Sequence, residues 1–250
     1  MYGLSVRLAF FSDLHSNLPA LEAVLDDIAS AGVDARYVLG DLVGYAPWPN
    51  EVLERLQTER IPAVLGNYDE GTGFGADECG CAYTNPIEKA LGDRSFAWTK
   101  AHTGDANKAW LRSLAREIRF EADGLRFLLV HGSPRRINEY MYEDKPDSTF
   151  ARIAEGADAD VIVCGHTHRP YEKTVAGVWF VNDGSAGKPK DADPRACWAL
   201  LDTTARSVEF RRVEYEVERT AEAILASDLP HEFAAQVREA RGYQAADPVG

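Results

Sequence analysis

The chain has 250 residues, 45% hydrophobic and 27% charged, the balance of an ordinary globular protein rather than of a disordered one. Its formal net charge of −13 opposes non-specific binding to nucleic-acid phosphates or to an anionic membrane, so an anionic substrate would need a local cationic centre. The apolar run at 4–11 is too short to span a bilayer and contains Arg7, no later run approaches the roughly 20 apolar residues of a membrane helix, and the N-terminus lacks a signal-peptide layout, so a cytoplasmic protein without membrane contact is expected.

Apolar, β-branched runs at 8–11, 37–39, 63–65, 127–130 and 161–164 have strand length, and most are apolar throughout, as strands covered on both faces are. Between the first two, Leu21, Val24, Leu25 and Ile28 recur at helical spacing, with Asn17 or a neighbour as cap, Pro19 in the first turn and an end near Gly32. Pro49 opens a second helix with Val52, Leu53 and Leu56 on one side. This alternation implies a parallel sheet with right-handed crossovers.

The glycine-rich stretch 71–86 fits neither period and reads as a surface loop near a site. Helices are expected at about 86–101, 106–115 and 150–156. After them the chain becomes β-rich: 171–175 and 178–181 flank an Ala176-Gly177 hairpin signal, and strands at 197–202 and 208–215 alternate polar and apolar residues. Two amphipathic helices follow at about 217–240, the second begun by Pro230, before a tail expected to fray at about 243–250. Nothing resembles a linker, so a single domain is expected over 1–250. Its class is α/β (α+β): an open parallel sheet joined to a largely antiparallel one, giving two stacked mixed β-sheets flanked by helices.

Four of the six histidines fall in three short segments, Asp13-Leu14-His15, His131-Gly132 and Gly165-His166-Thr167-His168, each directly after a strand-like run. In extended chain, side chains at i and i+2 share a side, so Asp13 with His15, and His166 with His168, can each converge on one point. Ligand crevices of parallel α/β sheets lie outside the carboxyl ends of the strands. Asp41 and Asn67, each preceded by a glycine that lets backbone approach closely, arrive at the same edge. Two aspartates, one asparagine and four histidines offer oxygen and nitrogen without sulfur, which suits Mn, Fe, Zn, Co or Ni, and seven side chains are too many for one tetrahedral ion.

These five segments, in this order, resemble the calcineurin-like metallophosphoesterase superfamily, in its smaller bacterial and archaeal phosphodiesterase-like branch. The glycine-serine turn of that branch is similar to 182–189 and 193–195, which extends the resemblance over about 8–202. It implies a four-layer αββα sandwich and two divalent transition metal ions, manganese foremost. Asp13, His15, Asp41 and His168 would hold the first ion; Asp41, Asn67, His131 and His166 would hold the second, with Asp41 bridging. Asp41, Asn67, His131 and Tyr68 would surround the reacting phosphorus.

With two divalent ions, two aspartates and one hydroxide, the site carries about one net positive charge. That hydroxide would attack a small phosphodiester, possibly of nucleotide type, directly and without a covalent intermediate. A phosphomonoesterase or protein serine-threonine phosphatase on the same site is the alternative within the class. A non-catalytic protein-binding scaffold is the alternative outside it, disfavoured because every ligand position is filled. The oligomeric state is not legible.

Tyr68 departs from the family pattern, which often has histidine there to protonate the leaving group. Tyrosine, with a reference pKa near 10, is a weaker acid at neutral pH, which favours good leaving groups or another donor. Asp69 would then orient the loop. Arg135, Arg136, Lys188 and Arg195 are the candidate phosphate contacts. Tyr45 and Trp48 could stack a nucleobase, though packing is the commoner use of such residues. Four cysteines in a chain this long are no disulfide framework: Cys164 reads as a buried small hydrophobe, and Cys79-Gly80-Cys81 as free loop thiols rather than a metal or redox pair. His102 and His231 lie outside any such context.

Overall fold

Strand β1 (Arg7–Phe11) sends alternate side chains into two different cores. Ala9 and Phe11 pack with Leu21, Val24, Leu25 and Ile28 of α1 (Leu18–Ala31), whereas Leu8 and Phe10 meet Phe127, Leu129 and Val163. A strand apolar on both faces must be covered on both, and here one cover is a helix and the other a second sheet. The structure is a computed structural model that describes residues 6–83 and 85–242; Leu4 and the tail at 243–250 lie outside the described residues.

Beside β1 lie β2 (Ala35–Val38), parallel to it, and β8 (Ala196–Asp202), antiparallel, with β9 (Ser207–Val213) at the edge, so the first sheet has the order β2-β1-β8-β9. The second comprises β3 (Glu117–Ala122), β4 (Leu125–Val130), β5 (Val161–Cys164), β6 (Tyr171–Val175) and β7 (Val178–Asn182), in the order β3-β4-β5-β7-β6, with β4, β5 and β7 parallel. Helices α1 and α2 (Pro49–Thr58) cover the outer face of the first sheet. On the outer face of the second, Phe150 and Ile153 of α6 (Asp147–Ala157) pack on Leu128, Val130, Ile162 and Phe180. The result is the layer order helix, sheet, sheet, helix.

Asn17 caps α1 by accepting from the Ala20 amide, and Gly32 ends it in the left-handed region. The hairpin at Ala176-Gly177 has both residues at positive φ, the twist a two-residue hairpin requires.

Both sheets are mixed, as expected, and the late strands divide between them, β8 and β9 joining β1 while β6 and β7 join β5. Four details differ from expectation. The segment 63–65 makes only isolated bridges, Val38 with Ala63 and Val64 with Ala115, since no neighbour continues the ladder. Strand β3, not anticipated, is an edge strand whose alternate residues are exposed. The stretch read as loop from residue 71 begins inside α3 (Asn67–Phe74). Its glycines serve close packing: a Cβ on Gly71 would lie 2.7 Å from Cζ of Phe96 in α4 (Pro86–His102), and one on Gly73 3.1 Å from Cβ of Leu111 in α5 (Asp105–Ser113). Helices α7 (Val217–Leu225) and α8 (Glu232–Glu239) form a further apolar cluster with Leu91 of α4. The second starts after His231 rather than at Pro230.

Phe10 is fully buried between the sheets, its ring 5.8 Å from that of Tyr37 and 6.4 Å from that of Phe127. Phe10→Ala is expected to destabilise the fold by about 3–5 kcal/mol, read as a lower midpoint in urea unfolding with an unchanged slope.

Candidate metal centre

The seven ligand candidates all follow strand ends or, for Asn67, begin a helix at the same edge. Asp13 and His15 follow β1, Asp41 follows β2, His131 follows β4, and His166 and His168 follow β5. These are strands of the two parallel sets, so their carboxyl ends open on one crevice. The loops are tied across it. The Asp13 amide donates to the Gly40 carbonyl at 2.9 Å, and the His166 amide to Oδ2 of Asp13 at 2.8 Å. Two glycines allow close approach here: a Cβ on Gly66 would lie 2.0 Å from the Asp41 nitrogen, and one on Gly187 1.8 Å from the Leu14 carbonyl oxygen.

Second partners orient the rings. Nδ1 of His15 lies 3.1 Å from the Val43 carbonyl, Nδ1 of His131 2.7 Å from that of Leu39, and Nδ1 of His168 2.5 Å from that of Lys188. A carbonyl only accepts, so each Nδ1 carries a proton, and Nε2 of neutral His15 and His168 is left with a bare lone pair; for His131 burial opposes the charged form, but Asp41 and Asp13 outweigh it and raise the pKa to about 10, so an ion bound there would displace a proton from Nε2. The bare lone pairs of His15 and His168 oppose one another. Nε2 of His15 is 3.3 Å from Nε2 of His168, and Oδ1 of Asp13 is 3.4 Å from the latter, buried and without a hydrogen-bond donor.

A second group repeats the pattern. Nε2 of His131 is 3.1 Å from Nδ1 of His166, 3.0 Å from Oδ1 of Asn67 and 3.4 Å from Oδ1 of Asp41. The Asn67 amide nitrogen donates to the Cys79 carbonyl at 2.9 Å, which turns its oxygen towards His131. Asp41 spans the two groups, with Oδ2 3.7 Å from Nε2 of His15. Within each trio, Asp13, His15 and His168 or Asp41, His131 and His166, the donor atoms all lie within 4.8 Å of one another. Electron pairs opposed at such distances in a buried site repel unless a cation lies between them, so this donor set fits two divalent ions.

Burial pushes the pKa of His15 and of His166 down to about 3, keeping both in the neutral form that binds metal. Burial pushes Asp13 up to about 7, with the Asp41 charge adding to it and His131 opposing. For Asp41 burial acts upward too, but His131 and His15 hold it below the usual carboxylate range.

Asp13, His15, Asp41, His166 and His168 all have φ between 46° and 65°, the left-handed region that non-glycine residues rarely occupy. Asp13 and His15 do converge on one group, as expected, but the backbone is not extended there and His166 and His168 part. Turned at each position, His168 joins Asp13 and His15 while His166 joins Asp41 and His131.

Further residues support the ligands. Oγ of Ser12 donates to Oδ2 of Asp13 at 2.8 Å and stands 2.6 Å from Oδ1 of Asp183. One hydroxyl proton cannot serve two carboxylates, and burial pushes Asp183 well above the usual range, so Asp183 keeps its proton and donates to Ser12. Asp69 accepts from the amides of Leu42, Val43 and Gly66 at 2.9, 3.3 and 3.0 Å, which locks the Asp41 loop to the start of α3. Sequence reading assigned no role to Ser12 or Asp183, although Asp183 lies in the 182–189 stretch that resembles the family's glycine-serine turn.

Next to the ligands is a narrow cavity of about 40 Å³, lined also by Tyr45, Tyr68, Tyr83, Tyr140, Lys188 and Lys190. Of the four expected phosphate contacts only Lys188 reaches it. Arg135 pairs with Glu139, Arg195 pairs with Asp193, and Arg136 is exposed. Lys190, which the sequence did not single out, lines the same wall. Trp48 lies by Arg219 instead of at the cavity, whereas Tyr45 stands edge-on to His15 at 4.9 Å between centroids. Tyr68 is fully buried, its amide donating to Oδ1 of Asp41 at 2.9 Å and its hydroxyl to Oγ of Ser95 at 3.4 Å. Cys79 and Cys81, expected as free thiols, form a disulfide, because Gly80 at φ 68° turns the chain between them. His102 stacks on Trp98 and His231 precedes α8; neither joins the ligand groups.

Residues 6–206 match the family model of the calcineurin-like phosphoesterase superfamily domain. An uncharacterized protein of Methanocaldococcus jannaschii is 31% identical over 240 residues, 89% of this chain and 93% of that protein. Phosphodiesterase YfcE of Escherichia coli is 27% identical over 213 residues, covering 81% of this chain and 91% of its own. The crystal structure of a metallophosphoesterase from Sphaerobacter thermophilus superposes with a TM-score of 0.77 at 30% identity, over 95% of this chain and 100% of that one. The chain belongs to the calcineurin-like phosphoesterase superfamily, in its small bacterial and archaeal branch.

Proposed function

We propose that this protein is a phosphodiesterase acting on small phosphodiesters with two divalent transition metal ions, manganese foremost. The observation that carries the reading is Asp41, whose two oxygens address two separate histidine groups, at 3.7 Å from His15 and 3.4 Å from His131. Asp13, His15 and His168 would complete one ion's ligands; Asn67, His131 and His166 would complete the other's. When bound, such a pair lowers the pKa of water and stabilises charge on the phosphoryl oxygens.

The chain's own residues supply the rest. The carbonyls of Val43, Leu39 and Lys188 hold three imidazoles in one tautomer, so the donors are preorganised and pay no reorientation on binding. Lys188 and Lys190 line the cavity; burial lowers the pKa of both, and a phosphoryl oxygen entering beside them would favour their charged form. The narrow cavity and the acidic protein around it favour a small ester over a polymer. The preference for diesters draws on the 27% identity to a protein named as a phosphodiesterase.

Purified protein loaded with Mn, Ni, Co, Zn or Mg is expected to bind two ions per chain by elemental analysis and to turn over bis-p-nitrophenyl phosphate faster than p-nitrophenyl phosphate. Faster monoester turnover would assign a monoesterase, and inactivity with every metal would end the enzyme reading. Asn67→Ala and His131→Ala are each expected to leave one ion per chain and to lower kcat by at least about a hundredfold, with circular dichroism unchanged. Ser12→Ala, which removes the hydroxyl that orients Asp13, is expected to weaken binding at the Asp13 group by about 10–100-fold in metal titrations.

A further inference from the structure

We propose that Cys79 and Cys81 form a reversible thiol–disulfide site, opened by a small thiol that enters through the cavity, and that this bond decides how firmly Asn67 can hold the second metal ion. Such control goes beyond the phosphodiesterase reading of the site and rests on it.

The bridge contributes little to the fold. A disulfide stabilises chiefly by closing a loop, more so for longer loops, and this one encloses Gly80 alone. Its placement suits exchange instead. Cys81 is half-buried and lines the cavity with His15, His166 and His168, whereas Cys79 is buried. A small thiol therefore meets the Cys81 sulfur, and the Cys79 sulfur leaves. Two donors stand at the leaving atom, the Cys81 amide and the Tyr83 hydroxyl, each 3.4 Å from it. The hydroxyl is the donor of its pair, because a disulfide sulfur carries no hydrogen. Both donors stabilise the departing thiolate, which speeds exchange. Two small thiols are consumed. The first bonds to the Cys81 sulfur while the S–S bond breaks, its electron pair and the thiol's proton going to Cys79. The second bonds to the thiol-derived sulfur of the mixed disulfide and releases Cys81 as a thiol. Two electrons and two protons thus pass to the bridge, and the small thiols end as their own disulfide.

The same loop orients a metal ligand. Asn67 is buried, and its amide nitrogen donates to the Cys79 carbonyl at 2.9 Å and to the Cys81 sulfur at 3.4 Å, so both of its hydrogens are committed to the bridged pair. Its oxygen is thereby left facing Nε2 of His131 at 3.0 Å. From the other side Asn138 donates to the Gly80 carbonyl at 3.0 Å, which anchors the turn. Opening the bridge lets the two cysteines part, and the acceptors that fix the Asn67 amide no longer move as one. Partners of this kind behind a ligand contribute about 10–100-fold to metal affinity. The effect falls on one ion, because the rings of His15 and His168 are held by the Val43 and Lys188 carbonyls and not by this loop.

The decisive comparison needs no substitution. The folded protein is treated with oxidised or reduced glutathione, desalted under nitrogen, assayed for free thiols with a chromogenic disulfide reagent and titrated with manganese by calorimetry. Reduced glutathione is expected to expose two thiols per chain, because Cys164 and Cys197 are fully buried, and oxidised glutathione to remove them again. Two ions should bind in the oxidised form, and reduction should weaken one of them by about tenfold or more while leaving the other unchanged. Cys79→Ser combined with Cys81→Ser should bind manganese as the reduced form does after either treatment, and Tyr83→Phe should slow the release of thiols about threefold. A bridge that neither treatment changes, manganese affinities that are the same in both forms, or a double variant that still responds to glutathione overturns the proposal. Turnover of bis-p-nitrophenyl phosphate with two ions bound then leaves the phosphodiesterase reading standing. Binding of no second ion in either form overturns both.

Discussion

Ring nitrogens of His15, His131 and His168, aimed at one another and at the oxygens of Asp13 and Asp41 within a buried crevice, are the constraint on which the rest of this structure depends. Nothing in the apolar cores calls for that arrangement. It is held by backbone: three carbonyls fix the tautomers, amides from opposite sheets grip Asp13 and Asp69, and five ligands sit in a φ region that costs each of them of order 1 kcal/mol or more. Such strain persists only where the surroundings over-determine it. Here they do so through two sheets packed over Leu8, Phe10, Phe127 and Val163, which keep the two sets of loops in register. The stability of the sandwich is thus spent on holding electron-rich groups closer than they would choose.

Much of this was legible in the sequence because the ligands follow strands. An apolar run that ends in Asp-x-His or Gly-His-x-His can be recognised by its own residues, and five such runs in one order specify both the edge of the sheet and the family. The division of ligands was not legible from spacing. His166 and His168 look like an i, i+2 pair sharing a point, and only the left-handed φ at both positions sends them to different groups. The same limit explains α3. Gly71 and Gly73 suggest a loop to any reading of propensity, yet they are small because Phe96 and Leu111 press against them, which is a tertiary fact. Strand β3 was missed for the opposite reason: its exposed alternate residues leave too weak a pattern, and pairing with β4 makes it a strand. Arg135 and Arg195 sit in the expected stretches but are satisfied by Glu139 and Asp193, partners close in sequence whose pairing depends on side-chain direction.

Global and local charge act in opposite senses. The chain carries a formal charge of −13, yet the wall of its crevice holds Lys188 and Lys190. At moderate salt an acidic surface repels polyanions only within about 10 Å, whereas groups buried in the crevice act where screening is weak.

Tyr68 shows how a single departure from the family pattern is built into its surroundings. The ring lies against Gly44, where a Cβ would come within 2.7 Å, and packs with Tyr45 at 5.0 Å and Phe96 at 5.5 Å between centroids. Burial, with the neighbouring Tyr83 phenol adding to it, raises its pKa well above the ordinary value for a phenol. A histidine in this position would leave part of that volume empty and would reach Ser95 differently. The tyrosine is therefore one member of an aromatic wall of Tyr45, Tyr68 and Phe96 beside the metal centre, and its proton is held inside that wall. The phenol proton is thus committed within the aromatic wall, and the cationic side chain nearest that wall is Lys188, whose Nζ lies 4.5 Å over the Tyr45 ring.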